Sequence, residues 1–119
     1  MSLADSADWD FGTGDFTIET QFRANTLQNT QNETALASQV QSYSPHNYWV
    51  WFIRSNNIEF VVYSNNSIIL QLVATATFNT GTWYHVALVR SGNTWTMYKD
   101  GVSIGTITSS ITMPDYSLL

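Results

Sequence analysis

The stretch WYHVALVRSGNTWTMYKDG, residues 83–101, decides the fold, because it joins an apolar run to a second aromatic run through one turn and closes on another. Asp100-Gly101 is a strong hairpin signal, since both central residues of a tight two-residue turn need a positive φ that Asp and Gly accept at low cost. A two-residue loop there pairs Lys99 with Val102, Met97 with Ile104 and Trp95 with Thr106. In that register Trp95 and Met97 share a side with Val102 and Ile104 as an apolar patch, while Tyr98 projects from the other side beside Thr96 and Ser103. The rings therefore divide. Trp95 is core, Trp83 opens the preceding strand and is expected to pack at its end, and Tyr98 is left with polar neighbours. His85, mid-strand between Tyr84 and Val86, reads as a hydrogen-bonded structural histidine.

Outward from this stretch the chain reads as short strands separated by Gly, Asn, Ser and Asp. FTIETQF, residues 16–22, alternates Phe16, Ile18 and Phe22 against Thr17, Glu19 and Gln21, the period-2 pattern of a strand with one buried face. ETALASQVQ, residues 33–41, lacks the wide apolar stripe of a helix and is expected to be a strand. NYWVWFIRSNNIEFVVYSNNSIILQLV, residues 47–73, holds two similar turns, Ser55-Asn56-Asn57 and Ser64-Asn65-Asn66, and so reads as a three-stranded meander. With Asn56 and Asn57 central in the first turn, Arg54 lies opposite Glu59, Ile53 opposite Phe60 and Trp51 opposite Val62. These strands are apolar on both sides, as suits central strands whose second face is covered or lines a groove.

Composition narrows the function. The 119 residues suffice for one domain and are too few for two, so residues 1–119 are read as a single unit. Only 11% of residues are charged, and the net charge is −5. The four cations, Arg23, Arg54, Arg90 and Lys99, are scattered, which argues against a nucleic-acid partner. The absence of cysteine excludes a disulfide framework and a thiolate metal site. No apolar run approaches the roughly 20 residues that span a bilayer as a helix, so no membrane partner is expected.

Three segments in order, DFGTGDFTIETQF, GTWYHVALVR and NTWTMYKDGVSIGT, resemble the laminin G-like branch of the concanavalin A-like lectin/glucanase superfamily, in the versions found in phage and bacterial surface proteins. The most specific parts are the Trp83–Arg90 strand and the Tyr98-x-Asp100-Gly101 hairpin. The resemblance implies an all-β fold, an antiparallel jelly-roll sandwich of two curved sheets. The run of short strands and hairpin turns reaches the same class independently. Measured against the family pattern, both ends look clipped, near SLADSADWDFG and MPDYSLL. The expectation is thus a partial domain with unpaired sheet edges that associates, as a homo-oligomer through those edges or through swapped strands.

Enzymes of that superfamily place two glutamates with an aspartate between them on one strand, and retaining glycosidases need their carboxyls about 5 to 5.5 Å apart. Here Glu19, Glu33 and Glu59 are far apart in sequence, and no strand carries acidic residues at alternate positions. No Gly-x-Ser-x-Gly elbow accompanies the histidines. The reading is therefore a non-enzymatic module that recognises carbohydrate or surface glycans within a larger extracellular or virion-associated protein. The alternative is a purely structural or oligomerisation module, and a glycoside hydrolase is the remote third.

Sugar sites combine a ring that stacks on a pyranose with amides and hydroxyls that reach its hydroxyl groups. Tyr98, Tyr48, Tyr63 and Trp49 are the candidate strand aromatics for one open face, with Tyr43, His46 and Asn47 in a rim loop beside them. No cofactor is expected. Asp8, Asp10 and Asp15 are the calcium candidates, although the glycines between them do not fall where a helical calcium loop needs them, and a turn capped by Asp side chains is the blander reading.

Overall fold

A computed structural model of the protein describes residues 10–27 and 33–116. Eight strands follow in order: β1 (Phe16–Arg23), β2 (Thr34–Tyr43), β3 (His46–Arg54), β4 (Asn57–Ser64), β5 (Ser67–Thr75), β6 (Trp83–Ser91), β7 (Thr94–Lys99) and β8 (Val102–Thr108). They form two antiparallel four-stranded sheets, β1-β6-β7-β8 and β2-β3-β4-β5. The fold is the all-β sandwich that the sequence pattern implies. Among the described residues the sheet edges are β1, β8, β2 and β5. The expectation of clipped ends concerns residues 2–12 and 113–119, of which 2–9 and 117–119 lie outside the described residues.

Alternation builds the sandwich. Trp49, Trp51 and Ile53 of β3, with Ile58, Phe60 and Val62 of β4, turn inward to meet Val86 and Leu88 of β6 and Trp95 and Met97 of β7. The Trp51 indole donates to Met97 Sδ at 3.2 Å, and the Phe60 and Trp95 rings stack at 6.1 Å, so the two sheets are tied across the middle. Arg90 is 2% exposed, and its guanidinium supplies what the ends of three segments lack. It donates to the carbonyls of Gly92, Gly12 and Ile111 and lies 4.6 Å over the Trp95 ring. A buried cation bound to three carbonyls holds the segments before β1 and after β8 against the core.

The registers correct two expectations. Lys99 pairs with Val102 as read from the sequence, over a turn in which Asp100 and Gly101 both have positive φ, 49° and 81°. Beyond Tyr98 and Ser103 a bulge intervenes, so Met97 pairs with Gly105 and Trp95 with Ile107, not with Ile104 and Thr106. The bulge brings Gly105 against β5, where an added Cβ would stand a tight 3.0 Å from the Ala74 Cβ, so the two edge strands approach closely at that end of the sandwich. Val102 is 64% exposed and is not part of the apolar patch assigned to it.

In the first meander turn the loop is Ser55-Asn56, so Arg54 pairs with Asn57, Ile53 with Ile58 and Trp51 with Phe60, two residues away from the expected register. The Ser55 and Asn56 carbonyls accept from Phe78 and Ala76, and this anchoring from beyond β5 selects the turn. A shift of two leaves every side chain on its expected face. The second turn is as expected, with Asn65 and Asn66 at φ 47° and 68°.

Candidate functional site

The faces that point away from the core carry the candidate residues, and the two sheets differ there. On the outside of β2-β3-β4-β5, successive cross-strand rows read Val40–Tyr48–Tyr63–Ile68, then Ser38–Val50–Val61–Gln71, then Ala35–Phe52–Glu59–Val73. On the outside of β1-β6-β7-β8 the rows include Gln21–His85, Glu19–Ala87–Tyr98 and Thr17–Val89–Thr96–Thr106.

The first of these faces gathers four of the seven candidates at one end. The β2–β3 connection is only Ser44-Pro45, with a cis peptide, which sets Tyr43 opposite His46. Tyr43 and Tyr48 rings lie 5.4 Å apart, Tyr48 and Tyr63 4.8 Å, and His46 stands 5.7 Å from both Tyr48 and Tyr63. Tyr43 is 67% exposed. Tyr43, His46 and Asn47 therefore belong to strand ends and not to a rim loop. Asn47 supports the cluster: its Oδ1 accepts from the Asn65 amide at 2.8 Å and its Nδ2 donates to Ser42 Oγ, while the His46 amide donates to Asn66 Oδ1. Tyr116 donates its hydroxyl to the Tyr63 carbonyl from the inner side. Burial, with Tyr63, Glu33 and Tyr43 adding, holds the Tyr48 phenol above the usual tyrosine range.

Two candidates lie elsewhere. Trp49 is 5% exposed and faces the core, where its indole donates to Gln39 Oε1 at 3.1 Å and its ring meets Phe60 at 5.7 Å. Tyr98 projects from the other sheet, on the opposite side of the sandwich, so it shares no face with Tyr48 and Tyr63. Near it, His85 Nε2 lies 3.2 Å from Glu19 Oε2, and Glu19, Thr20, Gln21 and His85 line a shallow depression of about 280 Å³. Trp83, expected to pack, is 69% exposed at the start of β6.

A polar group of which the sequence shows only the Arg54–Glu59 pair is at the far end of the first face. Glu59 is 7% exposed, accepts from Gln71 Nε2 at 2.6 Å and from Arg54 Nη1 at 3.3 Å, and Arg54 Nη2 reaches Glu33 Oε1 at 3.2 Å. Arg54 also covers the Phe52 ring at 4.9 Å. The Arg54–Glu59 pair expected from direct opposition thus forms diagonally. Arg54 Nε and Asn57 Oδ1 have no partner among the described residues, which leaves this end of the face underbonded.

Of the calcium candidates, Asp8 lies outside the described residues, Asp10 is exposed, and Asp15 Oδ1 accepts from the Gly92 amide at 2.7 Å, fixing the β6–β7 turn. Among the described residues no three His, Cys, Asp or Glu side chains gather as a metal set.

The two antiparallel four-stranded sheets form a lectin-like sandwich. The chain belongs to the concanavalin A-like lectin/glucanases superfamily, in its laminin G type, whose family model matches residues 1–118. A comparison with curated proteins gives no match. Laminin G-like domains are in general binding modules without catalysis.

Proposed function

We propose that the protein is a carbohydrate-recognition module whose site is the outer face of β2-β3-β4-β5, centred on Tyr48 and Tyr63. The observation that carries this is the convergence of Tyr43, His46 and Tyr63 around Tyr48, each ring within 5.7 Å of the Tyr48 ring, on a strand face away from the core. Rings held by strands and braced by Asn47 and Asn66 form a preorganised apolar platform with phenol hydroxyls at its edge, the combination that a pyranose needs. Placement in a larger extracellular or virion-associated protein is supported by the resemblance of the Trp83–Arg90 and Tyr98–Gly101 segments alone. Glu33 and Glu59 both engage Arg54, which favours a structural ion pair over a glycosidase's open acid and nucleophile. A glycan-array screen tests the proposal. The wild-type chain is expected to bind at least one glycan class, and Tyr48→Ala to weaken it at least about tenfold while the fold is retained. No array signal from a folded protein overturns it.

A second reading, assembly, has its own observation. Edge strand β5, SIILQLVAT, is nine residues without a charge or proline, and it exposes Ile68 and Val73, each 49% exposed, on its outer face. An uncharged apolar edge is a template for pairing with a second copy. Antiparallel pairing of two such edges would bring apolar side chains of the two copies together. Light scattering is expected to give a dimer mass that Val73→Lys returns to monomer, and a wild-type monomer at high micromolar concentration removes this reading.

A further inference from the structure

The tyrosine cluster sits where its own sheet is irregular. Val62 of β4 pairs with Leu70, but the next residue, Tyr63, pairs with Ile68, so Ile69 of β5 is left over as a bulge. At a bulge the ladder is interrupted and the neighbouring side chains are re-aimed, so the β4–β5 pairing alone does not set the direction of the Tyr63 ring. The turn that follows is secured from β3: the Asn65 amide donates to Asn47 Oδ1, the His46 amide to Asn66 Oδ1, and the Asn66 amide to the His46 carbonyl.

From the core side, Tyr63 is met by the segment that follows β8. That segment is fastened at three points. The Ile111 carbonyl accepts from the buried Arg90, the Met113 amide donates to the Gly12 carbonyl at 2.8 Å, and the Tyr116 hydroxyl donates to the Tyr63 carbonyl. The chain thus leaves the sheet β1-β6-β7-β8 and ends beneath the tyrosine cluster of the other sheet. Tyr116 is 3% exposed and packs within the core, out of reach of a ligand on the outer face. Burial holds its phenol above the usual tyrosine range, against an opposing effect of Ser64, so the hydroxyl keeps its proton and donates. A buried hydroxyl needs an acceptor, and the one it takes is the carbonyl of the residue at the bulge.

Resting on the proposed carbohydrate site, we infer that Tyr116 is a positioning residue of that site: its hydroxyl clamps the Tyr63 backbone at the bulge and so fixes the Tyr63 ring against Tyr48. These two rings lie 4.8 Å apart with 36° between their planes, and a stacking platform depends on that relation. Tyr116 acts through Tyr63 and makes no contact of its own with the sugar.

Tyr116→Phe tests this, because it removes the hydroxyl and leaves the ring in the core. Val86→Ala is the control. It opens a cavity toward the other end of the sandwich, where Lys99, the partner of Val86 across β6 and β7, lies over the Phe78 ring. The probe is the glycan of strongest array signal, titrated by calorimetry. A second readout, which needs no glycan, is the nuclear Overhauser contact between the Tyr48 and Tyr63 rings. Tyr116→Phe is expected to weaken the glycan about fivefold and to reduce the ring contact. Val86→Ala, the more destabilised of the two in thermal melting, is expected to keep both at the wild-type level. Wild-type affinity or an unchanged ring contact in Tyr116→Phe overturns the inference while the carbohydrate site stands. An equal loss of affinity in Val86→Ala also overturns it, by tracing the effect to global stability. A folded wild-type chain that binds no glycan removes the carbohydrate reading itself, and with it any role of Tyr116 in binding.

Discussion

The two outer faces of the sandwich are built by the same alternation and come out differently. On β1-β6-β7-β8 the outward positions are ordinary: Thr17, Glu19, Gln21, Thr96 and Thr106 leave Tyr98 isolated, and His85 pairs with Glu19. On β2-β3-β4-β5 they are apolar or aromatic along the central strands, and they bury Phe52, Val61 and Glu59 almost as fully as the core does. A soluble sheet has no folding reason to load its outer face in this way, because one apolar face suffices to form the sandwich. The second apolar face is where the rings of the proposed site converge.

The largest difference should appear in stability. Phe52→Ala is expected to cost about 3 kcal/mol although Phe52 is outside the core, because its ring is buried beneath Arg54. Thr17→Ala on the other outer face is expected to change stability by no more than about 0.5 kcal/mol. Urea unfolding of the two variants checks this, and equal costs would erase the distinction between the faces. Next are the two glutamates. Glu59→Gln breaks a buried, doubly bonded carboxylate and is expected to cost about 2 kcal/mol, whereas Glu19→Gln, at an exposed site, should be nearly silent in the same unfolding assay.

The smallest effect is in alkaline titration. Because burial raises the Tyr48 phenol above its value of 10.0 in the unfolded chain, its contribution to stability is complete below pH 10 and declines as pH rises through the folded value. Spectrophotometric titration of the folded protein should therefore lose a late-ionising tyrosine in Tyr48→Phe. Loss of an early one would show that the ring is solvated like an ordinary surface tyrosine.

Much of this was legible in the sequence. FTIETQF announces its buried face because Phe16, Ile18 and Phe22 alternate with polar residues, and the Asp100-Gly101 turn announces its hairpin because few dipeptides accept two positive φ values. The site was legible only in part. In NYWVWFIR both alternating sets are apolar, so nothing local tells that Trp49 goes inward and Tyr48 outward. Nor does the sequence separate Tyr98 from them, because strand order, which puts it on the other sheet, is set by long-range pairing. The bulge beyond Tyr98 goes with the meeting of Gly105 and Ala74, and the Ser55-Asn56 turn follows from Ala76 and Phe78, contacts that no short window contains. The Gln71–Glu59–Arg54 group was partly visible as an expected Arg54–Glu59 pair. Gln71 joins it only once β5 is laid beside β4.

We place recognition on the outer face of β2-β3-β4-β5 and not on the face bearing Tyr98. Amide chemical-shift mapping during titration with a glycan that the array identifies tests it most directly. Shifts are expected to concentrate at Tyr43, His46, Tyr48 and Tyr63, with Gln21, His85 and Tyr98 unmoved. Shifts centred on Gln21, His85 and Tyr98 would contradict it.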